Sequence, residues 1–209
     1  MALDTTVEAA RQIIEQVSPS HPALIDQAHS VDALFGIVNV PSGVWIDEEG
    51  IIVRPPEPAF PGPSPYRDAQ ISDTLPQRIK DMLLEAKKIR AEPEKYVAAL
   101  RDWVSRGRDS RYALSPDDVI ERSRPRPVEE SLGAAHFELG EYLHRAGQSE
   151  DAARHWHEAH RLQPDNWTYK RQAWSLADPT QGPTDLYEGD WLSDVRKIGA
   201  ENYYPPLQM

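Results

Sequence analysis

Six prolines crowd residues 54–65, at positions 55, 56, 58, 61, 63 and 65, and no other feature limits the fold as much. Each removes a backbone N–H and fixes φ, so this stretch is excluded from a helix interior and from a central strand. It is expected to run extended over the surface or to pack as an ordered strap. The chain is thereby divided into a front part at 1–56, a proline-rich linker at 57–74 and a back part at 75–209. A proline-rich ligand for a partner domain is the sharper reading. It is set aside because Arg54 and Arg67 are the only basic flanks.

The front part mixes two periodicities. Thr5 and Glu8 have the spacing of a capping box, and Val7, Ala10, Ile14 and Val17 follow at helical intervals until Pro19 and Pro22. Ala23, Leu24 and Ile25 make a short apolar run before Asp26, and Ser30 to Phe35 predicts a second, short helix stopped by Gly36. After Pro41, the β-branched residues and Trp45 predict a strand. Glu48-Glu49-Gly50 then predicts a tight turn, and Ile51-Ile52-Val53 a returning strand ended by Arg54-Pro55-Pro56.

Residues 34–53, LFGIVNVPSGVWIDEEGIIV, resemble thioredoxin-fold redoxins of the alkyl hydroperoxide reductase, thiol-specific antioxidant and disulfide-reductase type. The resemblance covers roughly residues 1–55 and rests on helix, proline loop and antiparallel hairpin falling in that order. It implies a partial thioredoxin-like α/β fold, helix–strand–helix–hairpin, followed by an all-α region. It also implies a cis Val40-Pro41 bond facing the active site across the substrate groove, with Asp47 and Gly50 at the hairpin turn. Pro-Ser-Gly departs from the family's commoner Pro-Thr.

A larger departure lies at the front. Redoxins carry their redox motif at a helix N-terminus, where the dipole lowers the thiol pKa, and Met1-Ala2-Leu3-Asp4 looks like the tail of the strand that follows that unit. The sequence contains no cysteine, so thiolate nucleophiles, thiolate metal ligands and disulfides are absent together. Two accounts stay open. The chain is a half-domain covered by something else, or its start has been placed too late and a cysteine or selenocysteine motif lies upstream; the second is preferred. No catalytic residue is assigned within the chain, and no redox turnover is expected of it.

The back part reads as helices. Leu75, Ile79, Met82, Leu83, Ala86 and Ile89 share one face; Pro93 opens a second helix that Gly107 stops; Ser115-Pro116-Asp117-Asp118 opens a third. From His136 onward, Leu139, Gly140, Leu143, Gly147, Ala152, Trp156, Ala159 and Pro164 resemble one tetratricopeptide (TPR) repeat, at about 133–166. The small residues let two antiparallel helices approach; Leu139, Leu143 and Trp156 fill the seam. Ser149 is expected to cap the second helix and Asn166 the next. One repeat cannot cover its own face, so the helices at 75–90, 93–106, 115–122 and 167–176 are expected to cover it. A structural role is preferred over a peptide groove. Residues 191–199 predict a last helix, and the aromatic end at 202–206 is expected to dock back onto the body.

His155, His157 and His160 invite a metal reading, but the spacing is one short of the zinc-protease pattern, and they are read as solvated. Asp4, Asp26, Asp47, Glu48 and Glu49 are read as turn and cap residues. No metal or cofactor is assigned. The formal net charge of −11 disfavours nucleic acid and anionic lipid. No apolar run of about 18 residues or signal peptide is visible, so a soluble, cytoplasmic product is expected. A protein partner for the helical tail is the alternative to the redoxin reading; oligomeric state is left open.

Overall fold

Ala2–Leu3 (β1) lies parallel to Ile25–Asp26 (β2), and Val7–Val17 (α1) makes the crossover between them. The structure is a computed structural model that describes residues 1–4, 6–123, 125–178 and 182–209. Thr5, the expected cap of the first helix, lies outside the described residues; Thr6 caps α1, its Oγ1 accepting from Ala9 N at 3.2 Å. Asp26 ends β2 and caps Ser30–Phe35 (α2), its carboxylate accepting from Ser30 N and Val31 N at 3.0 and 2.7 Å. Gly36 closes α2 in the left-handed conformation that glycine adopts without a Cβ penalty.

Ser42–Ile46 (β3) and Ile52–Pro58 (β4) form an antiparallel hairpin. Its turn is held by Asp47, whose Oδ1 accepts from Glu49 N and Ile51 N, with Gly50 at φ 80°. The expectation that Arg54-Pro55-Pro56 ends the second strand is overturned, since β4 runs on to Pro58. Trp45 pairs with Arg54 and Gly43 with Glu57, so β4 has one residue more than β3 in this interval, and Pro55-Pro56 fall in the bulge. A bulged residue needs no ladder N–H, which is how the prolines are accommodated. Among the described residues the strands make two separate two-stranded sheets.

Helices follow at Gln77–Lys88 (α3), Pro93–Arg106 (α4), Pro116–Ser123 (α5), Val128–Arg145 (α6), Ser149–Leu162 (α7), Trp167–Ala177 (α8) and Trp191–Ile198 (α9). The chain is thus mixed α/β in front and mostly helical behind, with a packed run over α6 to α8. None of the helices among the described residues is long and apolar enough to cross a membrane.

Two compact units emerge, each drawing on both parts of the sequence. The first comprises Met1–Val38 and Arg126–Lys170. Gly147, at φ 77°, turns α6 back along α7, and the bare Cα of Gly140 receives the Trp156 indole. Gly140, Ala152, Trp156 and Ala159 are buried, Leu143 is half-buried and Pro164 is exposed beyond α7. Leu139, assigned to the seam, is 42% exposed, and Phe137 takes the buried position, stacked on Tyr169 at 4.1 Å. Ser149 is the first residue of α7 and makes no cap hydrogen bond; the capping position falls to Gln148. Asn166 does cap α8, its Oδ1 accepting from Tyr169 N at 3.1 Å. The helices at 75–90, 93–106 and 115–122, expected to cover this hairpin, belong to the other unit; within its own unit the cover includes the front segment, through His29 against Phe137.

The second unit comprises Asn39–Pro125 and Arg171–Met209. Trp45, Val53, Ala59, Tyr96, Ala99 and Leu207 form its core, with Trp45 stacked on Trp103 at 4.9 Å. Arg54 is 2% exposed, its guanidinium donating to the Glu57 carboxylate, Tyr112 O and Gln208 O. The aromatic end docks as expected: Tyr203, Tyr204 and Leu207 are buried.

Candidate functional site

Pro41, immediately before β3, stands at the edge of a groove in the second unit. The Val40-Pro41 bond is cis, the isomer that the redoxin resemblance implies. The loop around it is pinned on several sides. Asn39, buried, accepts from Val40 N through Oδ1 at 2.9 Å and donates from Nδ2 to Tyr203 O at 3.1 Å. Ser42 Oγ donates to Asn39 O at 2.7 Å, and Ala59 N donates to Pro41 O at 3.1 Å. Tyr204 donates its hydroxyl to Val40 O at 2.6 Å. Burial raises the Tyr204 phenol well above its ordinary value, so the donor keeps its proton across the neutral range.

Opposite Pro41 lies the proline strap. Phe60 meets Tyr204 edge to face at 5.1 Å, and Pro61, Pro63 and Pro65 follow as a continuous apolar wall. Ala86, from α3, and Ile89, just after it, line the far side of this open hollow of about 380 Å³. A second hollow of about 240 Å³ shares Tyr66, Ala86, Ile89 and Tyr204 with the first and extends along Ile79, Met82 and Leu83. Among the described residues Arg171 is the one charged residue lining either hollow, and no carboxylate there pairs with its side chain. The proline-rich stretch, expected to run over the surface or to pack as an ordered strap, lines the groove through Phe60 to Tyr66.

In chemical terms the groove has an apolar floor, backbone fixed around Pro41 and a single guanidinium, with no thiol, since the sequence has no cysteine. It can hold an apolar segment against Pro41.

The histidines behave otherwise than expected. His157 is exposed, but His155 is half-buried and shares a proton position with His136, their Nδ1 atoms 2.8 Å apart. Burial first, then the charges of His136 and Arg154, lower the His155 pKa. His160 is half-buried and pushed down to about 3, by burial above all and then by Lys170 and His157, against a hydrogen bond with the Tyr169 backbone. Trp156 directs only part of the run outward, because α7 presents His155 to α6 and His160 toward the start of α8. Among the described residues no three His, Asp or Glu side chains come together to hold a metal ion.

The chain matches no family model, no curated protein and no solved structure.

Proposed function

We propose that the chain is the substrate-binding part of a thioredoxin-fold redoxin, related to thiol–disulfide or peroxide reductases, and that it turns over no redox substrate by itself. One arrangement carries the reading: Pro41 joins a short helix to an antiparallel hairpin and stands at the edge of an apolar groove. The β1–α1–β2 crossover and α2 precede it in the order that the resemblance implies. Val40 and Pro41 then shape the site where an extended stretch of an oxidised substrate lies, and the nucleophile comes from outside these residues. The α6–α7 hairpin is a single TPR-like repeat in a structural role.

The purified chain, assayed for insulin and peroxide reduction with dithiothreitol as reductant, is expected to give no turnover above buffer. The genomic sequence read in frame directly upstream is expected to encode a CxxC-like or UxxC-like motif. Its absence there would remove the redoxin reading, and turnover by the cysteine-free chain would remove the claim that it is inactive alone.

A second reading, a non-catalytic interaction module, is favoured by one observation. Val128, Leu132, Leu139 and Tyr142 form an exposed apolar stripe along α6, with Glu129 and Glu138 exposed beside it. Such a stripe suits an amphipathic partner helix with basic residues flanking its apolar seam. Binding of a synthetic basic amphipathic helix to the chain, lost in Leu132→Glu and retained in Ile89→Glu, distinguishes this reading from the groove.

A further inference from the structure

The geometry points to His29 as a proton-operated latch in the first unit: its protonated ring holds the β2–α2 corner against α6 and α8, and loss of that proton loosens the joint.

His29 occupies the residue before α2 with φ 54°, a left-handed conformation in which a side chain such as His is uncommon. The residue is only 4% exposed. On one side it meets the edges and faces of two stacked rings, Phe137 of α6 at 5.1 Å and Tyr169 of α8 at 6.0 Å. On the other, Nδ1 hydrogen-bonds Asp32 Oδ2 at 2.7 Å, and Asp32 has no exposed surface at all. The ring is thus fixed to its own helix by Asp32 and packed on one side against two helices from later in the sequence.

Two buried polar atoms remain without a hydrogen-bond partner in this region, His29 Nε2 and Glu141 Oε1. One belongs to the corner and the other to α6, the two elements that the ring joins. A neutral imidazole with its proton on Nδ1 would present Nε2 as an acceptor, of the same sign as the carboxylate. A protonated ring presents a donor instead.

The charges around the ring favour the second state. Asp26 and Asp32 face it from the β2–α2 corner, and Glu141 from α6. Arg145 is the cation beside Glu141, its Nη1 3.7 Å from Oε2. Burial pushes the Glu141 carboxyl up while His29 and Arg145 draw it down, and Asp26, Asp32 and Glu141 against one guanidinium leave a place for a second positive charge. Tyr169, on α8, stays a neutral phenol because burial raises its pKa; Glu138 pushes it the same way and Arg126 the other. Burial opposes the imidazolium, but the Asp32 hydrogen bond and the charges of Asp32, Glu141 and Asp26 outweigh it and raise the His29 pKa. A group raised in this way adds stability that is complete below its unfolded value of about 6.5 and disappears as pH rises through the folded value.

Ring titration by NMR on the intact chain tests this, with His29 assigned by sequential backbone connectivity. His29 is expected to titrate above about 6.5, and protection factors of the α2 and α6 amides to fall through the same pH range. Glu141→Gln is expected to lower the His29 midpoint by about half a pH unit or more. A midpoint at or below the ordinary histidine value, protection that ignores it, or a midpoint unmoved by Glu141→Gln would each overturn the latch. The first two readouts need no variant, so the test survives if Glu141→Gln does not fold.

Discussion

Gly140 and Trp156 interlock so closely that a Cβ on the glycine would lie 2.6 Å from the indole Cδ1 and 3.2 Å from Ala152 O. Trp156 is fully buried, and Ala152 O is backbone, so neither neighbour can give way cheaply. Gly140→Ala gains helix propensity of about 0.5–1 kcal/mol, but overpacking typically costs about 1–3 kcal/mol. The balance is a net loss, read as a lower urea midpoint for the first unit. A midpoint equal to that of the parent chain would mean that the α6–α7 seam has slack.

Gly43 makes the corresponding close approach in the second unit. A Cβ there would lie 2.8 Å from Tyr96 Oη and 3.0 Å from Ala59 Cβ. The hydroxyl also accepts from Trp45 Nε1 at 3.3 Å, so it cannot swing aside without breaking that bond. Gly43→Ala is expected to destabilise by about 1–3 kcal/mol. The loss should shrink in a Tyr96→Phe background, where the obstructing oxygen is gone. A double-mutant cycle on thermal unfolding measures the coupling, and additive losses would show that the hydroxyl is not the obstacle.

Most elements are legible because they depend on local signals. Gly36, Pro93, Gly107 and the Ser115-Pro116 cap mark helix ends where the backbone requires them, and Asp47 with Gly50 marks the hairpin turn. The course of β4 was not legible. Proline excludes a ladder donor, and only the register of Trp45 against Arg54 reveals the bulge that absorbs Pro55-Pro56. The groove was half visible: Val40 and Pro41 stood out, whereas Phe60, Ile89 and Tyr204 meet there through tertiary packing alone. Phe137 was overlooked for Leu139 because a repeat pattern ranks positions by spacing, while burial here follows the stacking of Phe137 on Tyr169. His29, Asp32 and Glu141 gave no sign at all, since Glu141 lies far from the other two in sequence.

Arg54 holds the end of the chain. Its guanidinium serves the Glu57 carboxylate and two carbonyls, one of them Gln208 O at 2.6 Å, while Lys95 Nζ donates to Leu207 O at 2.7 Å. Removing one partner of a buried ion pair leaves the other uncompensated, at a typical cost of about 3–5 kcal/mol. Arg54→Ala should therefore destabilise the second unit by that order and expose the last residues to carboxypeptidase. Arg54→Lys keeps the charge but loses the planar fork, and should fall between. A tail equally resistant in Arg54→Ala would show that Leu207 burial anchors it without the guanidinium.

Acid should weaken the first unit through α7. His160 titrates near 3 in the folded chain and near 6.5 when unfolded, so between those values the unfolded state binds more protons. Stability then rises with pH across that window; the neutral ring's contribution is complete above about 6.5 and is lost progressively toward 3. His155, also lowered, acts in the same direction. His160→Gln removes a titrating group while keeping a polar side chain, and should flatten the dependence of the urea midpoint between about pH 5 and 6.5, above the range in which most carboxylates titrate. The ring's NMR shift in the intact chain gives an independent measure: it should stay that of a neutral imidazole down to about pH 4. A ring that protonates near its ordinary value would mean that α7 leaves His160 open to solvent, and the variant's pH profile would then coincide with the parent's.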